Sequence, residues 1–263
     1  MKATALRLVT VAEASAQSCA TTVAAQSMPQ LKTQCSNCNL REVCLPCGFS
    51  GQDKRPLDGL VYARKRIKQG ESLYRAGEAF HALYAVRAGF FKASVMLEDG
   101  REQVTGFHMG GEIVGMDGIG TDIHQANIVA LEDSEVCVIP YARLHEMGRD
   151  IPGLQHHINR IMSREIVRDQ SVMLLLGSMN AEERLATFLL NLSQRFLARG
   201  YSQYEFRLRM TREDIGGFLG MRLETISRAF SKFQGDGLIA VDHKQIRIVD
   251  LDGLKRVGGY TVH

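Results

Sequence analysis

The chain has 263 residues, which is enough for two domains that each bury a core of their own. Its hydrophobic content of 45%, charged content of 23% and formal net charge of +3 are typical of a globular protein and argue against a disordered or fibrous chain. The sequence contains no apolar run long enough to cross a bilayer, so we expect no membrane association.

The N-terminal stretch MKATALRLVTVAEASAQSCATT is rich in alanine, serine and threonine. Arg7 and Glu13 interrupt what would be the apolar part of an export signal, so the stretch does not predict secretion. We therefore expect residues 1–33 to form a disordered tail. We also expect the protein to stay in the cytoplasm, where thiols remain reduced.

Four of the six cysteines fall in the next segment, residues 34–54, which begins QCSNCNLREVCLPC. In a reducing compartment, such a dense group of thiols indicates metal binding rather than disulfides. Cys35, Cys38, Cys44 and Cys47 have C-x2-C-x5-C-x2-C spacing, which a structural zinc site could use, although five residues between the pairs is short for a zinc ribbon. A zinc site of this kind would leave Cys137 without a role.

Residues 55–150 break into short apolar or alternating runs divided by glycine, such as ALYAVRAGFFKASVML and NIVALEDSEVCVIP. Short strands with turn signals at intervals of roughly ten residues predict a β-sandwich, barrel or jelly roll. Between Arg101 and Arg143 the chain has no lysine or arginine, so this stretch offers an anionic ligand no cation of its own.

Residues 151–178 contain GLQHHINRIMSREIVRDQSVMLLLGS, whose apolar residues recur at helical spacing and predict one helix of about seven turns. One continuous seam, as in a two-helix coiled coil, is formed by Ile158, Met162, Ile166, Asp169, Met173 and Leu176. Asp169 is the exception in this seam, because two carboxylates would approach each other there in a two-fold dimer. The alternative is that Asp169 lies at the margin of the seam and stays in water.

Residues 179–263 predict a winged helix-turn-helix. The helix AEERLATFLLNLSQRFLARG is followed by a short strand near EFRLRM, two short helices and the hairpin GLIAVDHKQIRIVD. Thr211 and Asp214 form a near capping box at the first short helix, and Gly220 serves the turn between the two helices. The predicted buried stripe of the second helix consists of Leu223, Ile226, Ala229, Phe230 and Phe233.

Glu224, Ser227 and Arg228 lie at positions i, i+3 and i+4 of the second helix, so they share its exposed face. These residue types can recognise base edges in double-stranded DNA, although an exposed Glu/Arg pair is also common on a solvated helix. Cations suited to phosphate contact lie nearby: Arg207, Arg209, Arg212, Arg222, Arg228 and Lys232. We therefore predict DNA binding.

The motifs NAEERLA, MTREDIGGFLG and ETISR, together with the cysteine spacing, resemble the FNR branch of the cyclic AMP receptor protein superfamily over about residues 34–249. The resemblance implies an α+β fold with a β jelly-roll sensor domain, a long dimerisation helix and a C-terminal winged helix-turn-helix. It also implies an oxygen-responsive transcription activator, working as a homodimer with RNA polymerase on a two-fold TTGAT–ATCAA site. Its reading residues would be Glu224, Ser227 and Arg228.

The same resemblance implies a [4Fe–4S] cluster held by Cys35, Cys38, Cys44 and Cys137, because Cys137 in SEVCVIP matches the family's remote fourth ligand. Cys19 and Cys47 are then extra. In this family an aspartate matching Asp169 opposes dimerisation until cluster-dependent contacts, including the isoleucine matching Ile166, overcome it.

The resemblance also places polymerase contacts at the turn of residues 199–202 and the loop at Gly100. Ala88 departs from the family pattern in the first of these surfaces.

The jelly roll of this superfamily often binds a cyclic nucleotide, whose phosphate needs a cation, so the absence of lysine and arginine described above argues against that ligand. We also find no dinucleotide fingerprint, nucleophile elbow or metal-hydrolase motif, so we do not expect an enzyme. The alternative is a related regulator with a structural zinc site or an unidentified small-molecule effector.

Overall fold

The computed structural model describes residues 35, 38–40, 43–45, 60–61, 63–151 and 153–259. The tail expected at residues 1–33, together with Cys19 and Cys47, lies outside the described residues. Within the part of the chain that is described, none of the helices has the length and apolar character needed to cross a membrane.

Eight strands form two four-stranded antiparallel sheets that face each other, which is the β jelly roll predicted from the sequence. Their order is β1-β8-β3-β6 in one sheet and β2-β7-β4-β5 in the other. Residues that alternate along the strands, such as Val136 on β8 and Ile128 on β7, fill the space between the sheets. The strands are β1 (Ala63–Ile67), β2 (Ser72–Tyr74), β3 (Ala82–Ala88), β4 (Phe90–Met96), β5 (Glu102–Met109), β6 (Ile113–Val114), β7 (Asn127–Ala130) and β8 (Ser134–Pro140).

Two helices follow the jelly roll, α1 (Tyr141–Asp150) and α2 (Leu154–Ser178). The 25 residues of α2 make a helix about 37 Å long, so the long helix predicted from its apolar spacing is present. Leu154 packs into the core of the jelly roll, whereas Leu175 packs into the core of the C-terminal domain. Helix α2 therefore connects the two domains at its two ends and leaves its middle exposed.

The C-terminal domain is the winged helix-turn-helix predicted from the sequence, with one further helix at its end. It consists of α3 (Ala181–Leu197), β9 (Glu205–Arg207), α4 (Arg212–Leu219), α5 (Leu223–Gly235), β10 (Ile239–Asp242), β11 (Gln245–Ile248) and α6 (Leu251–Val257). The strands form a sheet of order β10-β11-β9. The additional helix α6 was not predicted; it begins at Asp250, whose side chain accepts a hydrogen bond from the Gly253 N–H.

Arg184 on α3 joins the long helix to the helix-turn-helix. Its guanidinium donates hydrogen bonds to the carbonyl oxygens of Leu176 at 2.8 Å, Met179 at 2.9 Å and Leu219 at 3.0 Å. These carbonyls belong to the C-terminal ends of α2 and α4, where helices leave their last carbonyl groups without intrahelical partners. One side chain therefore fixes the end of the long helix against the turn that leads into α5.

Candidate functional site

The turn between α4 and α5 is built by local sequence signals. The Thr211 side chain accepts a hydrogen bond from the Asp214 N–H at 3.0 Å, and the Asp214 carboxylate accepts one from the Thr211 N–H at 2.9 Å, so both partners of the capping box are present. Helix α4 ends at Gly220, which adopts the left-handed conformation with φ 63° and ψ 37°. A side chain at Gly216 would lie 2.6 Å from the Met221 carbonyl oxygen, so this glycine allows the close crossing of the two helices.

Helix α5 buries one face and exposes the face proposed to read DNA. Ile226, Phe230 and Phe233 are in the core. Glu224, Ser227 and Arg228 are exposed, as their spacing requires. The prediction that Leu223 belongs to the buried stripe was wrong: it is 47% exposed, because it stands at the first residue of α5 (Leu223–Gly235), beyond the edge of the core.

The basic residues around α5 are not equally available for phosphates. Lys232 pairs with Glu182 at 2.6 Å, and Arg209 pairs with Glu132 at 3.1 Å. The Arg212 guanidinium lies 3.1 Å from the centroid of the Phe230 ring, and burial lowers its pKa to about 10. Arg207, Arg222 and Arg228 are exposed, as is Lys232 in its pair with Glu182.

Four cysteines from two separate segments form the second candidate site. Cys35, Cys38, Cys44 and Cys137 form no disulfide with one another, and all four are half-buried. The N-terminal segment is wound by backbone hydrogen bonds from the Cys38 N–H to the Cys35 carbonyl at 3.2 Å and from the Cys44 N–H to the Leu40 carbonyl at 2.9 Å. Cys44 and Cys137 both pack against the same part of the jelly-roll core.

The four thiols lie within range of one another's charge. Burial, together with the smaller effects of the neighbouring Cys137, Cys35 and Cys38, raises the pKa of Cys44 to about 12. Even so, among the described residues no three cysteine, histidine or carboxylate side chains converge closely enough to enclose a metal ion. The thiols are therefore neighbours that do not form a closed coordination sphere.

The surroundings of Cys137 provide positive charge and an unused hydrogen-bond donor. Arg64 on β1 is the cross-strand partner of Cys137. Burial raises the pKa of the Cys137 thiol, whereas the charges of Arg64 and Arg87 lower it. The Arg64 Nε atom is buried and has no hydrogen-bond partner among the described residues, with the Glu135 carboxylate 3.8 Å away. Four cysteine thiols beside such a donor match in chemical type what an iron–sulfur cluster requires of a protein.

An open cavity of about 270 Å³ lies between the jelly roll and helix α2, and its lining includes the carboxylates of Asp117, Glu165 and Asp169. The Asp117 carboxylate accepts hydrogen bonds from the backbone N–H groups of Gln125 at 2.8 Å and Ala126 at 3.1 Å, and from the Tyr74 hydroxyl at 3.2 Å. A carboxylate of the protein therefore occupies donors of the kind that bind anions. Arg168 of α2 also lines the cavity, a cation that the local sequence pattern did not reveal, but it donates to the Phe107 carbonyl at 2.7 Å.

The seam of α2 is only partly available for a second subunit. Ile166 and Met173 are 57% and 64% exposed, and Asp169 is exposed between them. Ile158 is 8% exposed and packs in the jelly-roll core of its own subunit, so little of its side chain is available to a second subunit. Met162 is half-buried against the same core. The start of α2 is covered by its own β-domain, and the free apolar surface lies further along the helix.

The surfaces expected to contact RNA polymerase differ in accessibility. Tyr201 and Ser202 are exposed, and so is Gly100 in the β4–β5 hairpin. The Arg199 side chain is 7% exposed and donates hydrogen bonds to the Gly110 carbonyl and to Glu112. Arg199 is therefore occupied in an internal contact, which sequence reasoning missed because its partners lie far away along the chain.

Known proteins share both domains and their arrangement. A Crp-like helix-turn-helix domain matches residues 183–257, and a cyclic nucleotide-binding domain matches residues 64–150. The transcriptional regulatory protein btr of Bordetella pertussis is 47% identical over 225 residues, which cover 86% of this chain and 93% of that protein. The fumarate and nitrate reduction regulatory protein of Escherichia coli is 44% identical over 227 residues, which cover 86% and 91%.

Among solved structures, FixK2 from Bradyrhizobium japonicum superposes with a TM-score of 0.70 and 27% identity over 76% of this chain and 98% of that one. The relatives are named as transcription regulators and not as enzymes. Their matches extend over both domains of the described fold. The chain therefore belongs to the FNR-type transcription regulators of the Crp/Fnr superfamily, and it is a DNA-binding regulator rather than an enzyme.

Proposed function

We propose that this regulator responds to oxygen through a [4Fe–4S] cluster held by Cys35, Cys38, Cys44 and Cys137. The observation that carries the proposal is that half-buried thiols from two distant segments, those of Cys35, Cys38 and Cys137, all lie near enough to the Cys44 thiol to act on its charge. When bound, such a cluster supplies a group that oxygen destroys, so its presence reports the absence of oxygen. The cytoplasm is the compartment in which these thiols would stay reduced and in which the DNA lies.

The residues around the cysteines support this role in two ways. The three N-terminal cysteines and Cys137 lie on different segments, so a shared ligand set ties the N-terminal segment to strand β8 only while all four thiolates are engaged. Arg64 has an N–H group with no hydrogen-bond partner in the described part of the chain and carries positive charge next to Cys137. Such a donor suits a sulfur that carries negative charge, as second-shell groups do at metal sites.

The proposed output is binding to a two-fold TTGAT–ATCAA site by a homodimer. Glu224, Ser227 and Arg228 form the exposed face of α5, and their side chains can pair with cytosine and guanine edges in the major groove. Two-fold symmetry would place the two α5 helices one turn of DNA apart. The exposed surfaces at Ser202 and Gly100 are the proposed contacts with RNA polymerase during activation.

We further propose that the β-domain does not bind a cyclic nucleotide. The Asp117 carboxylate already accepts hydrogen bonds from the backbone N–H groups that an anionic ligand would use, and repulsion between the carboxylate and a phosphate would oppose binding. Glu165 and Asp169 line the same cavity as Asp117, so its charge is mainly negative. Calorimetric titration of the protein with cyclic AMP tests this directly, and binding at micromolar concentration would contradict it.

The ligand assignment is tested by single substitutions to serine in protein purified without oxygen. Replacing Cys35, Cys38, Cys44 or Cys137 should abolish cluster assembly, measured by iron and sulfide analysis and the visible absorption spectrum. The same variants should lose binding to the two-fold site. Cys19→Ser and Cys47→Ser are the matched controls and should keep both properties.

Structural zinc is the second candidate, because Cys47 completes the C-x2-C-x5-C-x2-C spacing. The two candidates predict different metal content and different sensitivity to substitution. Zinc in the purified protein, lost in Cys47→Ser but kept in Cys137→Ser, would replace the cluster assignment.

A further inference from the structure

The turn between β5 and β6, residues 110–112, contacts the cysteine segment on one side. A side chain at Gly111 would lie 2.5 Å from the Val43 side chain, and one at Gly110 would lie 3.4 Å from Leu40. Leu40 and Val43 stand between Cys38 and Cys44 in the sequence. The two glycines therefore let the cysteine segment pack directly on the backbone of this turn, and Gly111 also has φ +89°, which favours glycine.

The same turn contacts the DNA-binding domain on its other side. The Gly110 carbonyl accepts a hydrogen bond from Arg199 Nε. The Glu112 carboxylate accepts hydrogen bonds from Arg195 at 2.7 and 3.0 Å and from Arg199 at 2.7 Å. Both arginines belong to α3 or its C-terminal end, the helix that packs against the helix-turn-helix.

Glu112 is almost surrounded by positive charge in a buried position. Its side chain is 14% exposed, and Arg168 of the long helix lies 3.7 Å away. Burial opposes its charge, but Arg195, Arg168, His108 and Arg199 together lower its pKa to about 2. A buried carboxylate with several charge-assisted hydrogen bonds has a well-defined geometry, because losing any of them leaves charge without a partner.

The turn itself is anchored to the β-domain. The Gly111 N–H donates to the Val86 carbonyl at 2.7 Å, and the Val86 N–H donates to the Glu112 carbonyl at 2.8 Å. A segment fixed in this way to β3 can transmit a change in packing from one side to the other, because it does not have the freedom of a loose loop. The three residues thus connect the cysteine segment to the DNA-binding domain within one subunit.

We infer that residues 110–112 relay the state of the cysteine segment to the DNA-binding domain inside each subunit, with Glu112 as the residue that positions α3. While the segment packs on Gly110 and Gly111, the turn holds Arg195 and Arg199 and fixes the orientation of the DNA-reading helix. When the segment leaves, the turn loses its support on that side and the domain is held less firmly. This inference rests on the proposed cluster and adds a route that does not depend on dimerisation.

The test uses the full-length protein with Asp169→Ala, a change expected to keep the protein dimeric with or without the cluster. Affinity for labelled two-fold DNA is measured by fluorescence anisotropy for cluster-loaded and chelator-treated protein, both without oxygen. The relay predicts that loading improves affinity at least about fivefold, the lower end of typical coupling between sites. Adding Glu112→Gln should bring the ratio of loaded to chelated affinity close to one.

Glu132→Gln is the matched control, because Glu132 also joins the β-domain to the DNA-binding domain, through Arg209 at 3.1 Å. It should leave the ratio unchanged. If Glu112→Gln does not fold, Arg199→Lys provides a second variant, since lysine keeps the charge but cannot donate as a fork to both Gly110 and Glu112. A general loss of rigidity would weaken loaded and chelated protein alike, so only the relay alters the ratio.

Three results would overturn the inference, and they distinguish failure of the relay from failure of the cluster proposal. The relay would be refuted if the DNA affinity of loaded Asp169→Ala protein did not change on chelation, or if Glu112→Gln left the ratio of loaded to chelated affinity unchanged. Either result would leave the cluster proposal intact. Absence of iron and sulfide from the parent protein after anaerobic reconstitution would refute the cluster proposal, and the relay with it.

Discussion

Removing the carboxylate of Asp169 should allow the cluster-free protein to dimerise. Asp169 is exposed on α2 between Ile166 and Met173, whose side chains are 57% and 64% exposed. Both the apolar attraction and the repulsion between subunits therefore act on the same short stretch of helix. Asp169→Ala removes the repulsion and leaves the apolar residues unchanged.

The magnitudes are close enough for one carboxylate to decide the outcome. Complete burial of an exposed side chain of this kind contributes about 1.5–3 kcal/mol, so burying the exposed parts of Ile166 and Met173 in both subunits contributes about 4–7 kcal/mol. Association costs on the order of 4–15 kcal/mol in lost freedom. Two like charges 4 Å apart add about 1 kcal/mol of repulsion in water and about 4 kcal/mol at an effective dielectric constant of 20. Removing the repulsion should thus lower the dimer dissociation constant by roughly fivefold to several hundredfold.

Analytical ultracentrifugation of cluster-free protein measures the change. The Asp169→Ala variant should dimerise at a concentration at which the wild type is monomeric, and Asp169→Asn should behave in the same way because it also removes the charge. Glu146→Ala removes an exposed carboxylate from α1 and should have no effect. Added salt should strengthen the wild-type dimer slightly through screening. Equal dimerisation of wild type and Asp169→Ala would refute the reasoning.

Three further predictions concern base recognition, the cluster environment and stability. Arg228→Ala should cost about 1–3 kcal/mol on the specific half-site and little on random DNA, whereas Arg222→Ala should weaken both equally; binding isotherms on the two DNAs check this. Arg64→Gln should speed the release of iron to a chelator without oxygen, and Arg66→Gln, at an exposed position of the same strand, should not. Burial lowers the pKa of His108 to about 3, below its ordinary 6.5. As the pH falls below 6.5, the unfolded chain therefore binds a proton at this histidine while the folded protein does not, and the free energy of unfolding should fall by about 1.4 kcal/mol per pH unit. Urea unfolding from pH 7 to 5 should show this slope, and His108→Gln should remove it.

The fold could be predicted because each element carries its own local signal. The alternation of apolar residues around Ile128, the helical spacing within residues 154–178 and the cap at Thr211 all depend on neighbours a few residues away. The exposed face of α5 followed from the same periodicity. Leu223 was the failure, because periodicity describes a helix of unlimited length and says nothing of where the core ends.

The interdomain contacts could not be predicted, because their partners are distant in sequence. Glu112 and Arg195 are separated by 83 positions, and neither stands in a recognisable motif. The hydrogen bonds of Asp117 are a similar case. The sequence showed that cations were absent from this stretch, but not that the Asp117 carboxylate accepts hydrogen bonds from backbone N–H groups that an anionic ligand would otherwise use. Ile158 followed the seam pattern correctly, yet the β-domain of its own subunit covers it.

Dimerisation and the proposed relay respond differently to protein concentration, and this difference determines how much each contributes. A switch that acts only through dimerisation loses its effect once the protein concentration far exceeds the dimer dissociation constant of the cluster-free form, because mass action then fills the dimer state regardless of the cluster. The contacts of Glu112 with Arg195 and Arg199 lie within one subunit, so their effect on DNA affinity does not decline with concentration. A cluster-dependent affinity that persists at saturating protein must therefore pass through the subunit itself, whereas one that vanishes there places the whole switch in the repulsion between the two Asp169 side chains.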